Sequence, residues 1–593
     1  MSRVKGSFDC RADPKYSRSA IGRCIQRTHD IKYAVVAAPL MKFLISLTLS
    51  LPTSLWAQQR VRIQVHADNR QGAFKTNWAY FGHDEPNFTY MKYGRQLLSE
   101  LSAISPDAVH IRTHNLLTTG DGAPALKWGS TNAYTEDASG RPIYNWTVLD
   151  KIFDTYHAAR ITPFVEIGFM PKALSVHPDP YQHDWPKGAL WTGWAYPPKD
   201  YAKWAELIRR WVLHSVERYG RQDVESWEWE VWNEPDIGYW QGTPEEYYQL
   251  YDYAVDAVKR ALPAARVGGP ATTNPGNPKA AEFLRNFLTH CRRGKNYATG
   301  NTGAPLDFIS FHAKGSVRMV DGHVQMDIRR HLNNIAKGFE IVASFAEFRT
   351  LPVVLSESDP EGCAACSAAA HPEDAYRNTP QYASYTAAVL QGAGELAKRY
   401  KIDLQGILTW AFEFEDQPYF AGFRALATRD IDLPVFNLFR MLGLMGGERI
   451  RAESSAALGL DSALNSGART APDVNALATL NDRQVTILVW NYQDDDVAAP
   501  SAIIDLTVEG ILRPIEQGLL RHFRIDQTTS NAFTTWREMG SPEEPRTEQH
   551  AQLKAAGQLQ LVSPPQRLEL TGHAVHLNFE LPSQGVSLIQ LSW

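Results

Sequence analysis

Eight short apolar segments, each running into polar or glycine-containing residues and followed by a longer stretch of helical period, constrain this chain more than any other feature. They are TNWAYFG at 76–82, AVHIRTHN at 108–115, ITPFVEIGF at 161–169, VESWEWEVWNEP at 224–235, ARVGGPA at 265–271, DFISFHAKG at 307–315, PVVLSES at 352–358 and QGILTWAF at 405–412. Strands that alternate with helices pair in parallel, because a parallel pair needs a long crossover and a helix is the usual one. Eight such units specify an α/β fold, a (β/α)8 TIM barrel spanning residues 72–440. Two of its helices are legible at 198–220 and 243–262. The second opens with Thr243 as N-cap, Pro244 at the first helical position and Glu245 and Glu246 in the first turn, where they complement the helix dipole.

A chain of 593 residues exceeds what one core can hold, since single cores stop growing at roughly 250–300 residues. Beyond residue 440 the pattern changes to short alternating segments: VTILVWNYQ at 485–493, SAIIDLTVEG at 501–510, LLRHFRID at 519–526 and GVSLIQLSW at 585–593. Polar and Pro-containing turns separate them, which predicts an accessory antiparallel β-sandwich over 441–593. The segment 58–71, with RVRIQVHAD, is expected to add a strand to it, and GERIRAESS at 447–455 marks the crossover. Its expected role is structural support.

The first 57 residues read as an N-terminal extension and secretory signal. From Met41 the chain runs through Lys42, an apolar stretch from Phe43 to Leu51 and a small residue at Ala57, so translation is expected to start at Met41. The apolar run is shorter than the ~20 residues of a spanning helix, which predicts export to the periplasm or medium of a bacterium without stable membrane insertion. Loss of this segment leaves Cys291, Cys363 and Cys366. The pair in EGCAACSA has no second pair to complete a zinc site, and an oxidised loop staple is the modest reading in an exported protein. A net charge of -5 offers no basic field for nucleic acid. Oligomeric state is written in no motif.

In a TIM barrel the reacting groups sit at the C-terminal ends of the strands, whose loops form the open mouth. The second segment ends in Arg112, His114 and Asn115, the fourth in Asn233 and Glu234, the sixth in His312 and Lys314, the seventh in Glu357, and the eighth in Trp410 and Glu413. Two carboxylates, Glu234 and Glu357, therefore face one mouth from opposite sides. Glycosidic bond cleavage needs such a pair, one group protonating the leaving oxygen while the other attacks or supports the oxocarbenium-like centre. Singly, each has a plainer reading, because an acid after a strand is commonly an N-cap. Their joint placement favours chemistry.

These motifs resemble glycoside hydrolase family 39, which contains β-xylosidases and α-L-iduronidases, over roughly residues 60–440 with further similarity in the tail. WEVWNEPD is similar to the family's acid/base motif, which implies Glu234 as proton donor and Asn233 as partner of the sugar 2-hydroxyl. LSESDP resembles the nucleophile strand, which implies Glu357 as the attacking carboxylate. FHAKG places His312 near the nucleophile, and IRTHN carries His114, which resembles a glycone-binding histidine beside Arg112. WAFEFEDQPYFAGF is similar to the xylosidase eighth-strand loop, implying Glu415 and Asp416 as partners of sugar hydroxyls and Trp410 as a platform.

The family implies retention, with carboxyl groups about 5–5.5 Å apart, and no metal or organic cofactor. Lys314 resembles the iduronidase side of the family, where a lysine meets a uronate carboxylate; xylosidases more often carry tyrosine there. Negative charge at Glu415 and Asp416 instead favours neutral hydroxyls, and Lys314 is expected to pair with one of these acids. The expected substrates are xylo-oligosaccharides and other β-xylosides. A uronic acid or galactose glycone is the alternative, as is a catalytically silent carbohydrate-binding protein on the same scaffold.

Overall fold

The computed structural model describes residues 60–183, 191–511, 515–570 and 574–593, so the expected signal segment lies outside the described residues. Eight parallel strands close into a barrel: β1 (Tyr80–His83), β2 (Val109–Thr113), β3 (Ile161–Ile167), β4 (Glu228–Val231), β5 (Arg266–Thr272), β6 (Phe308–Lys314), β7 (Pro352–Asp359) and β8 (Asp403–Thr409). Each falls within or across one of the eight apolar segments, and β8 closes on β1 through Leu408 and Tyr80.

The β4 alternation explains its unusual sequence. Trp229 packs outward against Trp211 of the helix Tyr201–Tyr219, with ring centroids 5.4 Å apart. Glu228 and Glu230 point inward, as period 2 requires, and both are fully buried. The barrel interior is thus layered by charge. Glu228 meets His110, Arg266 and Gln405 at the N-terminal end, and Tyr80, Phe164, Phe308, Val354 and Leu408 form an apolar plug above. Arg112, Glu166 and Glu230 form the polar floor under the mouth.

The helices begin where the sequence marks them. Asp200 caps Tyr201–Tyr219 by accepting from the Ala202 and Lys203 amides. Thr243 caps Pro244–Ala261 in a capping box with Glu246, each side chain satisfying the other's backbone N–H.

The remainder builds a ten-stranded curled sheet packed on the barrel. Its N-terminal strand Arg60–Ala73 lies inside the sheet rather than at an edge, antiparallel to Glu448–Ser454 and parallel to Ala502–Glu509. The described sheet is otherwise antiparallel, as expected, and this pairing is its one parallel exception. The strand is inserted from the other end of the chain, so no short hairpin dictates its direction. Val61, Ile63 and Val65 alternate with exposed residues and fill the sheet's own core. The strand Gln484–Tyr492 is buried along nearly its whole length. Val485, Ile487 and Val489 enter that core, while Leu488, Trp490 and Tyr492 enter the barrel's core. Three helices in this region, Leu460–Ser466, Ala532–Glu538 and Thr547–Gly557, were not expected from its strand-like segments. The last ties back to the barrel through Lys554 and Asp430, 2.7 Å apart.

Cys363 and Cys366 form a disulfide in the loop after β7, and Cys291 is free and buried. Among the described residues no helix is long and apolar enough to cross a membrane.

Replacing Thr243 with Ala removes the cap and is expected to cost about 1 kcal/mol. Urea unfolding monitored by far-ultraviolet circular dichroism should show a lower midpoint for Thr243→Ala and recovery in Thr243→Asp.

Candidate active site

The chain leaves β4 through residues that ordinary strands avoid. Trp232 and Glu234 have φ of +73° and +44°, as does Ala271 at +52° in the adjoining strand. The Glu234 amide donates to the Ala271 carbonyl at 2.9 Å, so the turn is pinned to β5. Left-handed backbone at large residues costs free energy and persists where surrounding structure holds it. Here it lifts the Glu234 carboxyl to the mouth, partly exposed, while Asn233 stays buried.

Glu234 faces Glu357 of β7. One oxygen of each carboxyl and a ring nitrogen of His312 all lie within 4.8 Å of one another. His312 Nδ1 is 2.9 Å from Glu234 Oε1 and 3.7 Å from Glu357 Oε2, so a single imidazole bridges the pair. Three such donor atoms could also gather a cation. Glu357, however, is already ion-paired with protein cations, against which a metal would compete.

Those cations surround both oxygens of Glu357. Oε2 lies 2.7 Å from Lys314 Nζ, and Oε1 lies 3.2 Å from Arg112 Nη1 and 3.5 Å from His114 Nε2. Burial alone would push this carboxyl up. The charges of His312, Lys314 and Arg112 and the hydrogen bond from His114 outweigh it and hold the group well below the usual carboxylate range. Glu357 is an anion at neutral pH.

Arg112 sits beneath, fully buried, with Nε 2.5 Å from Glu230 and Nη2 3.0 Å from Glu166. Nη2 also donates to Asn233 Oδ1 at 3.1 Å, which fixes the orientation of the Asn233 amide. His114 Nδ1 is 2.7 Å from Asp84 Oδ1 and its Nε2 is 2.9 Å from Glu166. Burial disfavours the imidazolium, yet Glu166 and Asp84 raise its pKa well above the ordinary value.

The structure thus brings together Glu234, Glu357, Asn233, His312, Lys314, Arg112 and His114. Trp410 joins them from below: it is buried, its ring lies 4.3 Å from that of His114, and its Nε1 donates to Asp84 Oδ2 at 3.2 Å. A Cβ at Gly82 would stand 2.3 Å from this indole, which explains glycine in β1. Glu415 and Asp416 are placed differently. Glu415 accepts from the Tyr93 amide at 2.6 Å, and Asp416 is exposed in a left-handed turn at φ +57°. Lys314 pairs with neither of them; its second partner is Asp359, at 2.5 Å.

Sequence reasoning did not single out Asp84, Lys127, Glu166, Glu230 or Asp359. Four were readable as acids on or just after strands: Asp84 in FGHDEP, Glu166 in FVEIGF, Glu230 in WEWEV and Asp359 in SESDP. Lys127, on the long loop after β2, carried no signal.

The profile of Glycosyl hydrolases family 39 matches residues 61–569. The chain is 25% identical over 497 residues to a beta-xylosidase of Geobacillus stearothermophilus, covering 81% of this chain and 86% of that one. It is 26% identical over 454 residues to the alpha-L-iduronidase of Homo sapiens, covering 71% and 63% respectively. Its fold resembles the crystal structure of a monomeric beta-xylosidase from Caulobacter crescentus CB15, with a TM-score of 0.70 at 21% identity over 90% of this chain and 99% of that one. With paired carboxylates across a barrel mouth and a family match over most of its length, this chain belongs to glycosyl hydrolase family 39 and is a glycoside hydrolase.

Proposed function

We propose that this protein is a retaining exported β-xylosidase, with Glu357 as nucleophile and Glu234 as acid/base. The observation that carries the mechanism is the approach of the two carboxyls to within 4.8 Å, which suits direct attack and leaves too little room for the water that inversion places between them. Substrate preference is supported by the beta-xylosidase relative, which is matched over more of its length than the iduronidase.

Glu357 attacks the anomeric carbon while Glu234 gives its proton to the departing oxygen. Lys314, Arg112 and His114 keep the nucleophile ionised and aimed. Asn233, its carbonyl oxygen held by Arg112, offers its amide N–H2 to the sugar 2-hydroxyl. Esterification of Glu357 then removes its negative charge. Glu234 takes a proton from water, and that water releases the sugar with its configuration retained. The cations near the glycone are each matched by a carboxylate: Lys314 by Glu357 and Asp359, Lys127 by Asp84, and Arg112 by Glu166 and Glu230. A neutral pentose leaves that balance undisturbed. Glu415 is instead taken up by the Tyr93 amide, and Asp416 is exposed.

A uronide is the second reading, favoured by one observation: a substrate carboxylate could displace Asp359 as partner of Lys314. Hydrolysis of p-nitrophenyl β-D-xyloside, the α-L-iduronide and the β-D-galactoside separates the two. Xyloside turnover is expected, and turnover of the iduronide alone would move the specificity.

Glu357→Ala should abolish turnover. Glu234→Ala should lose roughly 10²–10⁴-fold on xylobiose and far less on aryl xylosides with good leaving groups, with azide restoring turnover as β-xylosyl azide. Nuclear magnetic resonance of the first-formed xylose should show the β-anomer; an α-anomer would overturn the assignment of Glu357 as nucleophile.

Lys314→Met removes a positive charge that depresses Glu357. The ionised nucleophile should then be lost at higher pH as the solution is acidified, so the acid limb of the kcat/KM profile should shift upward. A limb that stays put or moves down would refute this role for Lys314.

A further inference from the structure

The long loop after β2 closes over the mouth on the β1 side, and its contacts make it a fixed wall. Ser130 and Asn87 exchange hydrogen bonds at 2.9 and 3.0 Å, and the Lys127 amide donates to Glu85 Oε1 at 2.6 Å. A Cβ at Gly129 would stand 2.2 Å from Pro86, so the loop and the turn after β1 are packed without a gap. Lys127 itself adopts φ +59°, which turns its side chain inward.

The ammonium ends 2.9 Å from Asp84 Oδ1 and 5.8 Å from the centroid of the Tyr239 ring. It is 4% exposed and Glu357 is 5% exposed, and the Glu357 carboxylate lies near enough for its charge to act on this ammonium. The groups that act on it are Asp84, Tyr239 and Glu357, and its charge in turn disfavours protonation of His183. An ammonium has three N–H donors. Asp84 takes one and Tyr239 can take a second, leaving a donor for a ligand. Its charge is already balanced by Asp84, so the partner it suits is a hydroxyl.

The side of the pocket matters. Glu234 and His312 approach Glu357 from β4 and β6, whereas Asp84, His114, Trp410 and Lys127 crowd the β1, β2 and β8 side. A sugar held at its anomeric carbon between the carboxyls sends its ring one way and its aglycone the other. The closed, hydrogen-bonding side is the one that fits the ring.

We propose that Lys127 is a specificity-determining residue that donates a hydrogen bond to the 3- or 4-hydroxyl of the terminal sugar. The assignment rests on the glycosidase reading above.

The test is a kinetic cycle on the full chain: wild type and Lys127→Met, each with p-nitrophenyl β-D-xyloside and its 3-deoxy and 4-deoxy analogues. On the parent, kcat/KM should fall roughly 10–100-fold in the variant, the range for a hydrogen bond to a charged donor. On one deoxy analogue, wild type and variant should agree within about threefold, because the missing hydroxyl removes that bond from both. An equal loss on all three substrates would mean that Lys127 acts only by holding Asp84 and the loop, and no loss on any would mean that it touches no sugar. Either result overturns the proposal. Lys127→Arg, which keeps the pair with Asp84, should retain the wild-type unfolding midpoint and separates misfolding from lost recognition. A wild type that hydrolyses no glycoside at all would instead sink the glycosidase reading, and this assignment with it.

Discussion

Everything at the mouth of this barrel depends on one buried guanidinium. Arg112 has no exposed surface, and its planar fork reaches Glu230, Glu166, Glu357 and Asn233 at once, binding β2 to β3, β4 and β7. Arginine suits this position because it stays charged and directs its donors in fixed directions. Without it three carboxylates would face one another in a region of low dielectric, and removing one partner of a buried ion pair costs on the order of 3–5 kcal/mol. The network therefore couples folding of the barrel to placement of Glu357.

The same arrangement decides how the carboxyls differ. Glu357 is enclosed by cations and is held ionised. Glu234 stands at the rim with its closest charged neighbour a shared histidine, and its backbone is strained into the left-handed region to reach that place. Two chemically identical side chains thus sit in opposite surroundings, one embedded in positive charge and the other part-exposed at the rim, which suits the different roles proposed for them. Asp84, shared by His114, Lys127 and Trp410, extends the polar network to the β1 and β2 side of the mouth.

The curled sheet supports this arrangement from a distance. Its strand Gln484–Tyr492 buries one face in the sheet's own core and the other against the helix Pro380–Tyr400, which follows β7. Ser384 of that helix donates to Gln584 at 2.9 Å. Burial on both faces explains why ILVW in this strand lacks alternation.

The local signals in the sequence were sufficient for the barrel, its strands, the capped helices and the two opposed carboxylates. Hydrophobic period and cap chemistry act over a few residues, and the rule that strand ends form the mouth converts them to position. The parallel insertion of Arg60–Ala73, the helices Leu460–Ser466, Ala532–Glu538 and Thr547–Gly557, and the partners of Lys314 and Glu415 were not legible. Each depends on which distant segment packs alongside: Lys127 meets Asp84 across 43 positions, and Glu415 meets the Tyr93 amide across 322. By itself the sequence determined which residues could react. Only the tertiary structure decided which charges stand within ion-pairing distance of one another, because Coulomb energy follows separation in space and burial, neither of which is encoded by spacing along the chain.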